Sequence, residues 1–152
     1  MRKIFRILTI TVFFFLFLIH TFANAETVKE NIIRQSKEIG VEPAIALSIA
    51  KVESGFNQNA RSKGGHIGIF QLSMHTAKTM GLNPYDLDDN IKGGISYYKN
   101  MYDRLGSMEL AIAAYNRGLG AVKRNNNKVP ESAKPFVNKI MTNYKKYKAE
   151  GL

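Results

Sequence analysis

Glu53 is the residue of this sequence best placed for acid–base chemistry. Ala46, Ile49 and Ala50 precede it by one or two helical turns on nearly the same face. A carboxyl group on the apolar side of a helix is partly desolvated, which raises its pKa, and the negative end of the helix dipole adds to that shift. The pattern predicts a carboxylic acid that can protonate a glycosidic oxygen near neutral pH. By position alone, a surface glutamate at a helix end is the alternative.

A glycine-rich polar segment follows this acid. Its glycines let the backbone approach a ligand closely, and its amide and hydroxyl side chains are of the kind that binds sugars. The candidate ligand-binding side chains are Asn57, Asn59, Ser62 and Gln71. By composition alone, an ordinary surface loop fits the segment as well.

A third cluster comprises Tyr115, Asn116 and Gly118. Gly118 suits a positive φ at the end of a helix. Tyr115 could donate a hydrogen bond to Glu53 or stack on a sugar ring, and Asn116 could hold an acetamido group. The alternative is a buried tyrosine followed by a helix-ending turn.

Helical periodicity and end signals predict the elements that position these residues. Gly40, Gly81 and Gly106 mark helix ends, and Asp88 or Asp89 is expected to cap the longest helix. No alternating strand pattern and no repeat interrupts the series. The chain is therefore expected to fold as one all-α domain, with helices at 27–39, 43–53, 73–80, 88–105, 107–115 and 132–147.

The N-terminus has the composition of a secretory signal peptide. Positive residues at 2, 3 and 6 precede a largely apolar run over 7–19, and Ala-Asn-Ala at 23–25 resembles a cleavage site. A retained membrane anchor is the alternative, although a spanning helix needs about 20 apolar residues. We expect residues 1–25 to be removed, leaving a domain of residues 26–152 exported to the periplasm or the extracellular space at the cell wall.

Charge and composition limit the partners. The net charge is +10, and removing Arg2, Lys3 and Arg6 leaves +7, so the mature domain favours anionic surroundings. Export argues against nucleic acid and favours cell-wall polymers. The sequence has no cysteine, so disulfides and thiolate ligands are excluded. Its histidines, at 20, 66 and 75, do not cluster, and we expect no metal and no cofactor.

Taken together, the three clusters resemble the catalytic domain of the soluble lytic transglycosylases, a family similar to goose-type lysozyme. The resemblance covers about residues 39–147, and its motifs occur in the family's order. They are Ile49-Ala50-Lys51-Val52-Glu53-Ser54-Gly55-Phe56-Asn57, like the family's Glu-Ser motif; Gly68-Ile69-Phe70-Gln71-Leu72, like Gly-Leu-Met-Gln; and Ala114-Tyr115-Asn116-Arg117-Gly118, like Ala-Tyr-Asn-x-Gly.

The resemblance implies a lysozyme-like fold and a role for each matched residue. Glu53 would be the only catalytic carboxyl, first as acid and then as base. Ser54 would support it, Ser62 would contact substrate, and Gln71, Tyr115 and Asn116 would line the groove. The implied reaction cleaves the β-1,4 bond between N-acetylmuramic acid and N-acetylglucosamine without water. It leaves a 1,6-anhydro end.

The sequence also departs from the family pattern. Lys63-Gly64-Gly65-His66 replaces the usual Pro-Ala-Gly-Ala, so His66 could add charge near the site. Three other functions stay open: a hydrolytic muramidase of the same fold, a wall-binding accessory component, and an exported basic protein that binds membranes. Small members of the family often act beside secretion or conjugation machines, which would be possible partners by analogy.

Overall fold

The computed structural model describes residues 26–152, and the predicted signal peptide lies outside them. Within this range the chain is helical, and its extended pairs are limited to isolated bridges of Ile67 with Arg61 and with Leu72. The helices are α1 Val28–Ile39, α2 Pro43–Ser54, α3 Met74–Thr79, α4 Leu87–Leu105, α5 Met108–Arg117, α6 Leu119–Arg124 and α7 Lys134–Ala149, with a 3₁₀ turn at Glu131–Ala133 before α7. The predicted all-α fold is confirmed.

Local sequence explains where the first helices begin and end. Thr27 caps α1 in a reciprocal capping box with Glu30, and Gly40 ends it in the left-handed conformation at φ 78°. Pro43 occupies the first turn of α2, where a missing backbone N–H costs nothing. These signals are local, and the predicted bounds of both helices agree with the structure to within one residue.

The core is built around α2. Every residue from Ala44 to Ala50 is buried, so this helix has no solvent-exposed face over two turns. It packs against α1 and α7, while α5 packs against both α4 and α7. A helix enclosed on all sides is held rigidly by its neighbours. The last turn of α2, with Glu53, leaves this core at one edge.

The expected cap of α4, Asp88 or Asp89, was wrong by two or three residues. Asp86 is the N-cap, and its carboxylate accepts a hydrogen bond from Asp89 N at 3.0 Å. Asp88 instead accepts from the amide of Asn31, and Asp89 accepts from Asn83 N. Three aspartates within four residues offer three possible caps, and contacts with Asn31 and Asn83 decide among them.

The C-terminal part differs from the prediction in two places. Helix α6 was not expected, since it has only six residues and includes Gly120. The last helix was expected to begin at Ser132, but a 3₁₀ turn occupies that position and α7 begins at Lys134. Pro135 explains the later start, because proline is tolerated only in the first turn of a helix.

Of the helices formed by residues 26–152, none combines the length and the apolar composition that crossing a bilayer would require.

Candidate active site

Glu53 lies in the last turn of α2, at the wall of a cleft. Burial raises the pKa of its carboxyl group from 4.5 to about 7, and burial is the sole cause of that shift. Across residues 26–152, no side chain or backbone N–H donates a hydrogen bond to this carboxyl group, and no cation pairs with it. A carboxyl group in this setting is still about half protonated at neutral pH, which is what a general acid requires.

Ser54 fixes the end of the acid's helix to the neighbouring loop. Its hydroxyl donates to Ile69 O at 2.9 Å and accepts from Asn57 N at 3.1 Å. Gly55 and Phe56 then turn the chain away, both with positive φ. Ser54 does not line the cleft, and it instead joins the end of α2 to the loop that contains Ile69.

The loop of residues 67–72 forms the floor beside the acid. Gly68 has φ 77°, and Gln71 also has a positive φ, 48°, which is uncommon for a residue with a side chain. The Gln71 amide donates to Gly68 O at 2.9 Å. This hydrogen bond spans the turn and holds Gln71 at the cleft surface.

A fully buried amide fastens this loop to α4. Asn90 accepts a hydrogen bond from Phe70 N at 2.9 Å and donates to Ile67 O and Pro84 O. All three partners of Asn90 are backbone groups, one N–H and two carbonyl oxygens. Pairing them requires a side chain with one acceptor and two donors in this geometry, which the asparagine amide provides. The loop beside Glu53 is therefore held from below by a satisfied polar contact.

Two tyrosines form the opposite wall. The Tyr115 hydroxyl donates to Phe70 O at 2.7 Å, and the Tyr97 and Tyr115 rings meet edge to face at 5.2 Å between centroids. Burial raises the pKa of Tyr115 well above its ordinary value, and the nearby Glu53 carboxylate adds to the shift. Tyr115 therefore stays neutral beside Glu53, and its hydroxyl bonds the loop rather than the acid.

The cleft encloses about 370 Å³ and brings together most of the predicted site. The predicted residues that line it are Glu53, Ser62, Gln71, Tyr115 and Asn116. His66, suggested only as a nearby charge, also lines it. Sequence reasoning missed Leu72, Ser73, Thr76 and Tyr97 as lining residues. The spacing along α4 could have indicated that Tyr97 lines the cleft. Tyr97 lies seven residues after Asn90 and three after Gly94, so the three residues share one face of the helix.

The cleft offers chemistry based on one acid. Its lining contains no aspartate and no glutamate other than Glu53. In residues 26–152 there is also no group of three histidine, aspartate or glutamate side chains arranged to hold a metal ion. Apart from Leu72 and Gly118, the remaining lining consists of hydroxyl, amide and aromatic side chains, which suit a neutral polyhydroxylated ligand.

Comparison with known proteins identifies related sequences and one family. The family model described as "Transglycosylase SLT domain" matches residues 30–137. The chain is similar to the "Transglycosylase" of Enterobacteria phage PRD1, with 33% identity over 90 residues that cover 59% of this chain and 34% of the relative. It is also similar to the membrane-bound lytic murein transglycosylase F of Shewanella woodyi, with 40% identity over 79 residues, 47% of this chain and 16% of the relative.

Two solved structures share the fold. One is an inactive mutant of the lytic transglycosylase Slt from Pseudomonas aeruginosa, with 24% identity and a TM-score of 0.67 over 75% of this chain and 22% of that one. The other is the 70 kDa soluble lytic transglycosylase of Escherichia coli, also with 24% identity and a TM-score of 0.67, over 76% of this chain and 23% of that one. The matched region is thus about a third or less of each relative's length.

Proposed function

Since this chain belongs to the transglycosylase SLT domain family, we propose that it is a lytic transglycosylase that cleaves the glycan strands of peptidoglycan, with Glu53 as its catalytic acid and base. The observation that carries the proposal is the Glu53 carboxyl group, buried in a sugar-sized cleft with its pKa raised to about 7.

In the first step the protonated Glu53 gives its proton to the oxygen that links N-acetylmuramic acid to N-acetylglucosamine. The bond from C1 of the muramic acid to that oxygen breaks, and the N-acetylglucosamine leaves with a free 4-hydroxyl. Positive charge develops at C1, where the sugar's own acetamido oxygen can stabilise it. Glu53 is now a carboxylate whose burial raises its pKa to about 7, so it can accept a proton from a hydroxyl group.

In the second step the 6-hydroxyl of the same muramic acid attacks C1. Glu53 takes the proton of that hydroxyl and returns to its starting state, so the proton count balances over the cycle. The product carries a 1,6-anhydro ring. Water is not consumed, so the strand is cleaved by an intramolecular glycosyl transfer rather than by hydrolysis.

The composition of the cleft favours this sequence over hydrolysis. Inverting glycosidases need a second carboxylate about 6.5–9.5 Å from the first, and retaining enzymes need one at about 5–5.5 Å. The cleft lining provides no second carboxylate, and the aspartates at 86, 88 and 89 are engaged at the start of α4. An intramolecular nucleophile removes the need for a second group.

The wall residues have supporting roles in this scheme. Tyr115 stays neutral and closes the site beside Glu53, while its hydroxyl holds the loop of residues 67–72. Ser54 keeps the end of α2 in register with the same loop. Gln71, Asn116 and Ser62 offer amide and hydroxyl groups to the acetamido and hydroxyl groups of the strand.

The test is product analysis. The domain of residues 26–152 and its Glu53→Gln variant are incubated separately with purified peptidoglycan, and the soluble fragments are identified by mass spectrometry. Anhydro-muropeptides from the unmodified domain alone would support the lyase and its acid. Reducing ends would identify a muramidase instead. No fragments from either protein would contradict an enzymatic role and favour a wall-binding component.

We also propose that the domain is exported after cleavage at Ala25. The support is the order of charge, apolar run and small residues over residues 1–25. Mass spectrometry of the full chain expressed in a bacterium, comparing cytoplasmic and exported fractions, checks this. A mature protein beginning at Glu26 outside the cytoplasm is expected, and an intact N-terminus retained in the membrane would contradict it.

A further inference from the structure

The rim of the cleft carries a tight turn that fixes the position of one histidine. Ser62 N donates to His66 O, and Gly65 N donates to Ser62 O, each at 3.0 Å. Gly65 has φ 79°, a conformation that side-chain residues rarely adopt. The backbone between Ser62 and His66 is thereby closed on itself, and the His66 side chain is presented to the cleft.

Side-chain contacts fix the ring as well as the backbone. The Ser62 hydroxyl accepts a hydrogen bond from His66 N at 3.0 Å and lies 3.2 Å from Nδ1 of the ring. The ring also lies against Gly64, where an added Cβ would meet Nδ1 at 3.3 Å and Cε1 at 3.4 Å. The ring therefore lies between the Ser62 hydroxyl and the Gly64 backbone, and a side chain at residue 64 would require the ring to shift by a few tenths of an ångström.

Ser62 Oγ and Nδ1 are close enough to share a hydrogen bond, and the form of the ring decides which of them donates. When the Ser62 hydroxyl donates, Nδ1 is the acceptor. A ring whose Nδ1 accepts a hydrogen bond carries its proton on Nε2. Nε2 has no hydrogen-bond partner in residues 26–152, so its N–H is available to a ligand.

The rest of the cleft indicates what this N–H would meet. The lining contains no lysine and no arginine, so no cluster of cations is present to attract a carboxylate or a phosphate. Burial alone accounts for the raised pKa of Glu53. The neighbouring polar groups, Gln71, Ser73 and Thr76, are suited to sugar hydroxyl and acetamido oxygens.

We propose that His66 is a substrate-contacting residue that donates its Nε2–H to a hydroxyl or acetamido oxygen of a bound saccharide, and that Ser62 positions it. The substrate class rests on the proposed function. His66 would add affinity for the strand at a place away from the acid, and its removal should weaken binding with little effect on the chemical step.

Binding is measured on the Glu53→Gln protein, so that no substrate is consumed. The probe is an oligomer of N-acetylglucosamine, titrated and followed by calorimetry or NMR. His66→Ala should weaken binding about three- to tenfold, the range for one neutral hydrogen bond. His66→Gln, whose amide nitrogen can occupy the position of Nε2, should restore most of the loss. His66→Asn, which reaches only the position of Nδ1, should not.

Two controls separate recognition from structure. His75 is exposed on α3 and does not line the cleft, so His75→Ala should leave binding unchanged. For Ser62→Ala, the ¹⁵N chemical shifts of His66 should show loss of the Nε2–H form that dominates in the parent protein. A purely structural role of Ser62 would lower the melting temperature without changing that form.

Several outcomes would overturn the inference. These are unchanged binding by His66→Ala, equal binding by the Gln and Asn variants, full rescue by His66→Lys alone, and no binding of the oligomer by the Glu53→Gln parent. Failure of the proposed function is distinguishable, because it shows in product analysis of the active protein. Binding through His66 in the Glu53→Gln protein, together with no anhydro products from the unmodified protein, would refute the lyase and retain the inference.

Discussion

The two ends of α2 carry glutamates in opposite environments. Glu42, at the N-terminal end, accepts a hydrogen bond from the Tyr144 hydroxyl at 2.7 Å and pairs with the Lys148 ammonium. These partners lower its pKa, with the Lys148 hydrogen bond as the largest cause. Glu53, at the C-terminal end, has no such partner within residues 26–152, and burial raises its pKa to about 7.

The difference shows how one helix can separate a structural carboxylate from a chemical one. A paired carboxylate at the positive end of a helix is stabilised as an anion and is a poor proton donor. A desolvated carboxyl group at the negative end is still about half protonated at neutral pH. The partners around each group, rather than the residue type, determine its chemistry.

The largest expected effect is on catalysis. Glu53→Gln should reduce the release of anhydro-muropeptides by about 10²- to 10⁴-fold, the usual contribution of a general acid–base residue. Glu42→Gln, a matched change at the other end of the same helix, should keep most of the activity. Turnover of labelled peptidoglycan measures both. Comparable losses of activity in the two variants would show that the different environments of Glu42 and Glu53 do not matter for catalysis.

The pH dependence of activity comes next in size. Glu53 must be protonated for the first step, so kcat/KM should fall above pH 7, by about tenfold for each further pH unit. Titration of activity between pH 5 and pH 9 gives the limb directly. A midpoint near pH 4.5 would mean that the Glu53 carboxyl group is hydrated in solution. Burial would then not distinguish Glu53 from Glu42.

Stability should respond to Glu53 in a direction set by the same shift. Its folded-state pKa, about 7, lies above the unfolded value of 4.5, so the native state binds more protons and loses stability as pH rises between them. Glu53→Gln removes this loss. The difference in free energy of unfolding, variant minus unmodified protein, should therefore be about 1–3 kcal/mol larger at pH 8 than at pH 4. Denaturant unfolding at the two pH values measures the difference, and a constant difference would contradict it.

The smallest expected effect concerns Glu42, with the opposite sign. Its folded pKa is lowered, so its stabilising contribution is present above pH 4.5 and is lost as pH falls through the folded pKa. Glu42→Gln should cost about 0.5–1 kcal/mol at pH 7, as expected for a partly exposed pair. The cost should disappear in acid and shrink in high salt. A cost that is independent of both would assign it to packing of the side chain.

Local sequence predicted most of the fold because most helix boundaries here depend on nearby residues. Gly40 and Gly106 end their helices in the left-handed conformation, as their positions indicated. The cap of α4 could not be chosen among three acids, since contacts with Asn31 and Asn83 decide it. Helix α6 escaped prediction because six residues give too little periodicity to recognise.

The site was predictable in composition and less so in detail. The spacing around Glu53 indicated its apolar face, and the raised pKa agrees with it. Nothing local indicated that the Tyr115 hydroxyl would bond Phe70 O, because that contact joins residues 45 positions apart. Ser54 was expected to support the acid, but its partner, Ile69 O, could not be named from the sequence, because that contact depends on how the loop packs against α2.

Two adjacent glycines in the middle of α4 have a consequence for engineering heat resistance. Replacing a helical glycine with alanine commonly stabilises a protein by about 0.5–1 kcal/mol. At Gly93 an added methyl group would lie 2.5 Å from Leu72 Cδ1, and at Gly94 it would overlap the Phe70 side chain. Both neighbours belong to the loop beside Glu53. Replacing either glycine with alanine would therefore displace the floor of the cleft. A thermostable variant of this domain has to keep both glycines in α4 and forgo the helix stability that alanine would add there.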